Sequence, residues 1–150
     1  MMPACDQAVC VRAANQSDAE ALAHLSGELG YPVTAVQVRE RLAFIERKRD
    51  HATFVAVVPD RGVVGWIQLA EVRALEVEPR AEITGLVVDS AYRSAGVGRL
   101  LVARGEAWAR ENGLPMIGVR SNVVRERAHS FYERLGYSVV KSQKVFRKSL

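Results

Sequence analysis

The sequence contains only two cysteines and no long hydrophobic run. Cys5 and Cys10 have no cluster of histidines or further cysteines around them, which argues against a zinc site, and we expect no bound metal. A membrane-spanning helix needs roughly 20 apolar residues, and no run approaches that length. The first ten residues, MMPACDQAVC, lack the basic and apolar regions of a signal peptide. These features favour a cytoplasmic protein without a membrane partner, in which Cys10 is a small buried side chain and residues 1–6 are a loose tail.

The excess of positive charge is small. The chain has 21 lysines and arginines against 17 aspartates and glutamates, and its isoelectric point is near 9.4. The arginines are spread along the chain without a dense basic block, so we expect no nucleic-acid partner, although a basic surface suits any polyanionic ligand. A length of 150 residues fits one domain with a single core, and no linker or internal repeat divides it.

Hydrophobic periodicity and turn residues predict four helices and a mixed sheet. Two capping boxes, Ser17 with Glu20 and Thr34 with Gln37, mark the starts of the first two helices. Residues 59–62 predict a hairpin turn, and residues 78–80 predict a second turn, because Pro79 cannot donate to a sheet interior. The predicted strands cover residues 9–13, 53–58, 63–72, 81–88, 115–120 and one or two segments within 137–147, and the predicted helices cover residues 17–30, 34–49, 98–112 and 125–135. Hairpin strands followed by a strand–helix–strand unit predict an α/β fold, with a mixed sheet and helices on both faces.

A glycine loop, YRSAGVGRLL at residues 92–101, follows the predicted strand at residues 81–88. Free N–H groups at a helix N-terminus attract anions, and glycine lets a ligand approach the backbone closely. The dinucleotide pattern fails because Leu101 holds the place of its third glycine, and no Gly-Lys-Ser/Thr follows for a P-loop. A tight turn without a ligand is the alternative. If a diphosphate binds here, we expect it to contact Arg93, Ser94, Ala95, Gly96, Val97, Gly98 and Arg99.

Two segments together resemble the GNAT family of N-acetyltransferases. VVDSAYRSAGVGRLL resembles the coenzyme A signature of that family, Arg/Gln-x-x-Gly-x-Gly/Ala, with Arg93, Gly96 and Gly98 in the three defining places. SNVVRERAHSFYERLGY resembles the second conserved region of the family, and the matching residues are Asn122, Ala128, Phe131, Tyr132, Gly136 and Tyr137. One departure is Ser90, where many relatives have proline. The order of elements matches over residues 9–147, so the resemblance implies a GNAT-like acyltransferase fold, with a mostly antiparallel sheet and acetyl-CoA as the acyl donor.

The resemblance also implies how the coenzyme is held. The pantetheine arm would lie between two parallel strands that separate, and would pair with the main chain of Leu86, Val87 and Val88. Gly85 indicates a bulge in that segment. An N–H near Val87 or Val88 would stabilise the thioester oxyanion. The resemblance adds four more cofactor contacts, although Phe131 is better explained as a core aromatic and Asn122 is equally explained as a turn residue. These four residues are Asn122, Arg125, Ala128 and Phe131.

Catalytic and acceptor residues follow from the same resemblance. Tyr132 is the candidate general acid, because on a helix it shares a face with Ala128 and Arg125 and would point its hydroxyl at the departing sulfur. A core aromatic is its alternative. Glu82 is the candidate base, with a solvent-facing charge at a strand end as the alternative. Glu28 and Tyr31 would line the acceptor pocket, or else be a helix-end carboxylate and a packing tyrosine.

The sequence therefore predicts an N-acetyltransferase that moves an acetyl group from acetyl-CoA to an amine by direct attack in a ternary complex. The compact chain favours a small-molecule amine. A protein lysine or N-terminal acceptor and a non-catalytic acyl-CoA-binding sensor are the alternatives. The segment YSVVKSQKVF would extend a sheet between copies, so we expect a homodimer.

Overall fold

The computed structural model describes residues 4–6, 9–121 and 123–150. Contacts divide the chain into two compact units, Met1–Val119 and Arg120–Leu150, and each is described by itself.

The first unit is built on a six-stranded sheet in which each strand lies beside the next strand of the sequence. The strands are β1 (Ala4–Asp6), β2 (Val9–Ala13), β3 (His51–Val58), β4 (Gly62–Ala74), β5 (Val77–Val88) and β6 (Ile117–Val119). The pairs from β1 to β5 are antiparallel, and β5 pairs with β6 in parallel. The prediction of a mixed, mostly antiparallel sheet is confirmed.

Helices cover both faces of this sheet. They are α1 (Ala19–Glu28), α2 (Ala35–Glu46) and α3 (Val97–Glu111). Leu22 of α1 and Leu42 of α2 form a buried cluster with Val55 of β3. Gly105 of α3 lies so close to β4 that an added Cβ would be 2.8 Å from Leu69 Cδ2. The strand register places Val55 and Leu69 on opposite faces of the sheet, so α3 covers the face that α1 and α2 leave open.

A partly buried ion pair holds the chain where β2 leads into α1. Two guanidinium nitrogens of Arg12 donate hydrogen bonds to the two carboxylate oxygens of Asp18, at 2.8 and 2.9 Å. The side chain of Asp18 is only 6% exposed and also accepts a bond from the N–H of Asn15. Burial raises the pKa of Asp18, but the bonds from Arg12 and Asn15 and the charge of Arg12 outweigh it, and the pKa lies below its ordinary value.

One of the two predicted capping boxes is present as predicted. Thr34 and Gln37 cap each other at the start of α2. Before α1 the box is formed instead by Asn15 and Asp18, which cap a 3₁₀ turn, so the predicted box of Ser17 with Glu20 is wrong. The competing cap prevails because Asp18 is already held by the arginine of β2.

The second turn of the sheet also differs from the prediction. Leu75 and Glu76 form a two-residue turn between paired Ala74 and Val77, and residues 78–80 lie inside β5. The register between β4 and β5 shifts at this place, which is where a strand tolerates a residue such as Pro79 that lacks an N–H donor.

Residues 4–6 form a strand, which differs from the prediction. Ala4–Asp6 pairs with β2, where the sequence suggested a loose tail, and the register sets Cys5 opposite Cys10. Cys10 is half-buried and disulfide-bonded, rather than a free buried side chain. None of the described helices is long and apolar enough to cross a bilayer.

The second unit contains α4 (Glu126–Arg134) and the C-terminal segment. The ring of Tyr132 packs edge-on against those of Phe131 and Tyr137, with centroids 5.1 and 5.7 Å apart. Residues 137–150 contain no helix or strand, so the closing strands predicted within residues 137–147 are not present. Five large apolar side chains of this segment are exposed and lack the cover that pairing in a sheet would give: Val139, Val140, Val145, Phe146 and Leu150.

Candidate functional site

The glycine loop joins β5 to α3 through two residues in the left-handed region. A 3₁₀ turn, Ser90–Tyr92, follows β5, and the Asp89 carboxylate accepts a bond from the N–H of Ala91 at 2.9 Å. Ser94 and Gly96 have φ angles of 72° and 82°. Gly96 is the N-cap residue of α3, and glycine takes this conformation without the strain that a Cβ would add.

The first turn of α3 presents main-chain donors that the helix does not use. The bond from Leu100 N to Gly96 O, at 3.1 Å, is the first of the helix, so the N–H groups of Val97, Gly98 and Arg99 precede the ladder. No side chain of the described residues caps these groups, because the cap residue is glycine. A Cβ built on Gly96 would face open space, with its nearest neighbour at 3.9 Å. Donors, helix dipole and free space together fit the diphosphate of a coenzyme.

Three arginines surround this loop. Arg93 and Arg99, predicted from the motif, are exposed. The structure adds Arg61, whose Nε donates to the hydroxyl of Tyr92 at 2.9 Å and whose guanidinium lies 5.8 Å from the centre of that ring. The sequence offered no signal for Arg61 beyond its place in the hairpin turn, because its contact with Tyr92 is made only in the folded sheet.

The last part of β5 leaves one edge open. The pairing with β6 ends at Ile83 and Val119, and β5 continues to Val88 without a further partner among the described strands on that side. The N–H of Asp89 donates to Val64 O in β4 at 2.8 Å, so by alternation the main-chain groups of Val87 face β4. Those of Leu86 and Val88 face the open edge. Of the two predicted oxyanion donors, the alternation therefore favours Val88 over Val87.

A bulge marks the place where the two strands part. Gln68 pairs with Gly85 and Leu69 pairs with Ile83, which leaves Thr84 as an extra residue in β5. The bulge predicted from Gly85 is confirmed. The indole of Trp66 lies over Gly85, and an added Cβ would be 2.6 Å from two of its ring carbons. Residue 85 therefore has no room for a side chain.

The predicted base lies on the face that α1 covers. Glu82 pairs with Ala70 and its side chain is 18% exposed, with a carboxylate oxygen 3.9 Å from a guanidinium nitrogen of Arg80. A mostly buried carboxylate of this kind is not the freely solvated strand-end charge that was its alternative.

The two predicted acceptor residues lie at the end of α1 and in the connection that follows it. Glu28 ends α1 and lies 3.7 Å from His24, whereas Tyr31, in the connection to α2, is 68% exposed. The exposure of Tyr31 leaves its ring free for a ligand and does not support its alternative as a packing tyrosine.

The remaining site residues belong to the second unit. Arg125 is the N-cap residue of α4, and Ala128, Phe131 and Tyr132 lie within the helix. Burial raises the pKa of Tyr132 to about 12, and the charge of Arg125 opposes that rise. Its phenol is therefore neutral throughout the physiological range. Asn122 lies outside the described residues.

A cavity of about 380 Å³ opens at the other end of α3. Phe54, Arg104 and Trp108 are among its lining residues, and none of the residues assigned from the sequence lines it. The described residues contain no group of three or more histidine, cysteine, aspartate or glutamate side chains able to hold a metal ion.

Known proteins resemble this chain over most of its length. The model of the acetyltransferase (GNAT) family matches residues 19–137. An aminoglycoside N(6′)-acetyltransferase type 1 from Stenotrophomonas maltophilia is 29% identical over 93% of each chain. An uncharacterised N-acetyltransferase from Chlorobaculum tepidum is 32% identical over 97% of this chain and 87% of that protein. The solved structure of AAC(6′)-Iy in complex with the bisubstrate analogue CoA-S-monomethyl-acetylneamine superposes with a TM-score of 0.82 at 18% identity, covering 95% of this chain and 99% of that one.

Proposed function

Because the chain belongs to the GNAT family of acetyltransferases, we propose that it moves an acetyl group from acetyl-CoA to a small-molecule amine by direct attack in a ternary complex. The observation that carries the proposal is the start of α3, where a left-handed glycine cap leaves three main-chain donors uncapped between two arginines of the motif. Charge-assisted bonds from arginine to phosphate oxygens add to those of the main chain.

The open edge of β5 supports the position of the thioester. The main-chain groups of Leu86 and Val88 lack a strand partner there among the described residues, so the pantetheine arm pairs with them as a neighbouring strand would. The N–H of Val88 then lies on the side where the thioester oxygen becomes negative, and one such donor contributes about 3 kcal/mol to a transition state.

The reaction needs a neutral amine and a departing thiolate. The amine nitrogen attacks the carbonyl carbon, a C–N bond forms, the C–S bond breaks, and the amine loses a proton. Glu82 accepts that proton, directly or through water, or attracts the ammonium form of the acceptor. Tyr132 donates to the sulfur. A phenol with a pKa of about 12 is a weaker acid than an ordinary tyrosine, so its role is a hydrogen bond to the developing thiolate more than complete proton transfer.

The acceptor that we propose is a small-molecule amine. A relative that is named an aminoglycoside N(6′)-acetyltransferase favours a small molecule with several amino groups. Glu28 and Tyr31 are the residues we assign to its binding, together with Glu82. A protein amine is the alternative acceptor. Pairing of two copies and a cytoplasmic location stay predictions of the sequence.

Two measurements test the proposal. Calorimetry with coenzyme A reports whether the loop binds it. A thiol-release assay with acetyl-CoA then scans an aminoglycoside, glucosamine 6-phosphate, spermidine, free lysine and a peptide with a free N-terminus. Heat of association together with thiol release from one of the small amines supports the proposal. Association without release from any amine supports a non-catalytic acyl-CoA sensor, and the absence of association from folded protein refutes coenzyme binding altogether.

A further inference from the structure

Trp66 occupies an unusual place beside the bulge of β5. It pairs with Val87, and its ring reaches diagonally over Gly85, where an added Cβ would be 2.6 Å from Cη2 and Cζ3 of the indole. The ring also packs against the buried cluster of Leu22, Leu42 and Val55. The indole therefore connects the hydrophobic core to the backbone of the bulge.

The polar atom of this side chain does not explain its position. The indole Nε1 is buried and has no hydrogen-bond partner in the described part of the chain. A buried donor without a partner is unfavourable, and indole N–H groups in protein interiors usually find one. What the ring contributes at this place is accordingly its shape, which fills the space that the missing side chain of Gly85 leaves.

Resting on the proposed function, we propose that Trp66 is a positioning residue for acyl transfer. By packing on Gly85, the ring holds the bulge in place. The bulge sets the direction in which β5 continues beyond its pairing with β6, and therefore the direction of the main-chain groups of Leu86 and Val88. These are the groups assigned to the arm and the oxyanion. The coenzyme diphosphate binds elsewhere, on the glycine loop, so loss of the ring misplaces the reacting carbonyl without releasing the coenzyme.

The test compares Trp66→Leu, which removes the aromatic plane, with Trp66→Phe, which keeps a ring and removes the N–H. The acceptor is the amine that gives the fastest thiol release with the wild-type protein. Trp66→Leu lowers kcat by about tenfold or more, since a displacement of about 1 Å can reduce a rate by up to two orders of magnitude. The dissociation constant of coenzyme A, measured by calorimetry, stays within about threefold because the loop is intact. Trp66→Phe keeps a ring against the core cluster but lacks the Cη2 and Cζ3 atoms that lie over Gly85, so it lowers kcat less than Trp66→Leu does.

Trp108→Leu is the matched control, because Trp108 is a buried indole near the opposite end of α3 from the glycine loop. Its melting temperature falls, but kcat per mole of folded enzyme does not. Gly85→Ala provides a second route, since its methyl group displaces the ring, and Trp66→Leu in the same chain relieves that clash and makes the two losses less than additive. If Trp66→Leu keeps kcat within about threefold, or loses it only as Trp108→Leu does, the positioning role is overturned while the proposed function stands. If the wild-type protein binds no coenzyme A, the proposed function fails first, and the role of Trp66 fails with it.

Discussion

Substituting Gly96 by alanine tests the proposed role of the glycine loop in binding coenzyme A, with little disturbance elsewhere. The new Cβ meets nothing closer than 3.9 Å, so the cost to folding comes from the backbone alone. An alanine held at a φ of 82° costs about 1–2 kcal/mol. For a chain of this size that lowers the melting temperature by about 2–8 °C. The same methyl group fills the space that a phosphate needs to reach the donors of the first turn.

Gly113 supplies a matched control at the other end of the same helix. It follows α3 with a φ of 68°, and a Cβ built on it also has nothing within 4 Å. Gly113→Ala therefore carries the same kind of backbone strain without touching the loop. Both variants lose similar stability in thermal denaturation, but only Gly96→Ala loses affinity for coenzyme A, by about tenfold or more, which is at least about 1.4 kcal/mol.

Calorimetric titration with coenzyme A, at one fixed low salt concentration, decides between them. Equal dissociation constants for Gly96→Ala, Gly113→Ala and the wild type would mean that the diphosphate does not approach this turn. Equal losses in both variants would mean that affinity follows stability alone. Either result removes the observation on which the proposed function depends.

Three further predictions concern the fold and the chemistry. Asp18→Asn lowers the free energy of unfolding by about 1–2 kcal/mol in urea denaturation, because Arg12 loses its charge partner but is 36% exposed, so water solvates its guanidinium. Since the pKa of Asp18 is depressed in the folded state, the stabilisation that this carboxylate provides is complete above its unfolded pKa of about 4 and is lost as the pH falls towards the folded value. The stability of the variant therefore falls less steeply with acid than that of the wild type, and an unchanged pH dependence would contradict the assignment. Gly105→Ala is destabilised by about 1–2 kcal/mol because its new Cβ meets Leu69. Gly27→Ala in α1, which has open space around it, gains up to about 1 kcal/mol of stability from the helix propensity of alanine. Equal stabilities of the two variants would refute the close approach of α3 to β4. Tyr132→Phe lowers kcat by about tenfold to a hundredfold with unchanged affinity for coenzyme A, and the wild-type rate shows no phenol titration below about pH 11, so an unchanged kcat would exclude Tyr132 as donor.

Local patterns predicted what depends on local chemistry. The box of Thr34 and Gln37 and the hairpin turn at residues 59–62 each depend on residues within one turn of the chain, and both are present. The bulge at Gly85 was also predictable, because a glycine inside an apolar strand often marks a bulge or a close approach to the backbone. The glycine loop was recognisable because the family signature that it resembles has particular residues at fixed spacing.

Other features could not be predicted from local sequence patterns, because they depend on residues that are distant along the chain. The cap before α1 lies at Asn15 and Asp18 because an arginine of the preceding strand holds that carboxylate. Pro79 predicts a turn when only its neighbours in the chain are considered, although it lies at a register shift that only the pairing with β4 reveals. The contacts of Arg61 with Tyr92 and of Trp66 with Gly85 join residues on different elements, so no spacing along the chain predicts them.

The order of strands in the sheet has a consequence for how the protein acquires its structure. From β2 to β4, the strands pair with partners that are reached through a short turn or through the two helices α1 and α2, and β5 joins them by a tight hairpin. The parallel partner β6 can join only after the chain has passed through the glycine loop and the whole of α3. Such non-local closure is entropically slower than the formation of the hairpins that join β3 to β4 and β4 to β5. A coenzyme bound at the start of α3 would therefore lie where the described crossover from β5 to β6 begins. It would stabilise the sheet in which β6 is paired with β5, against fraying of that pair.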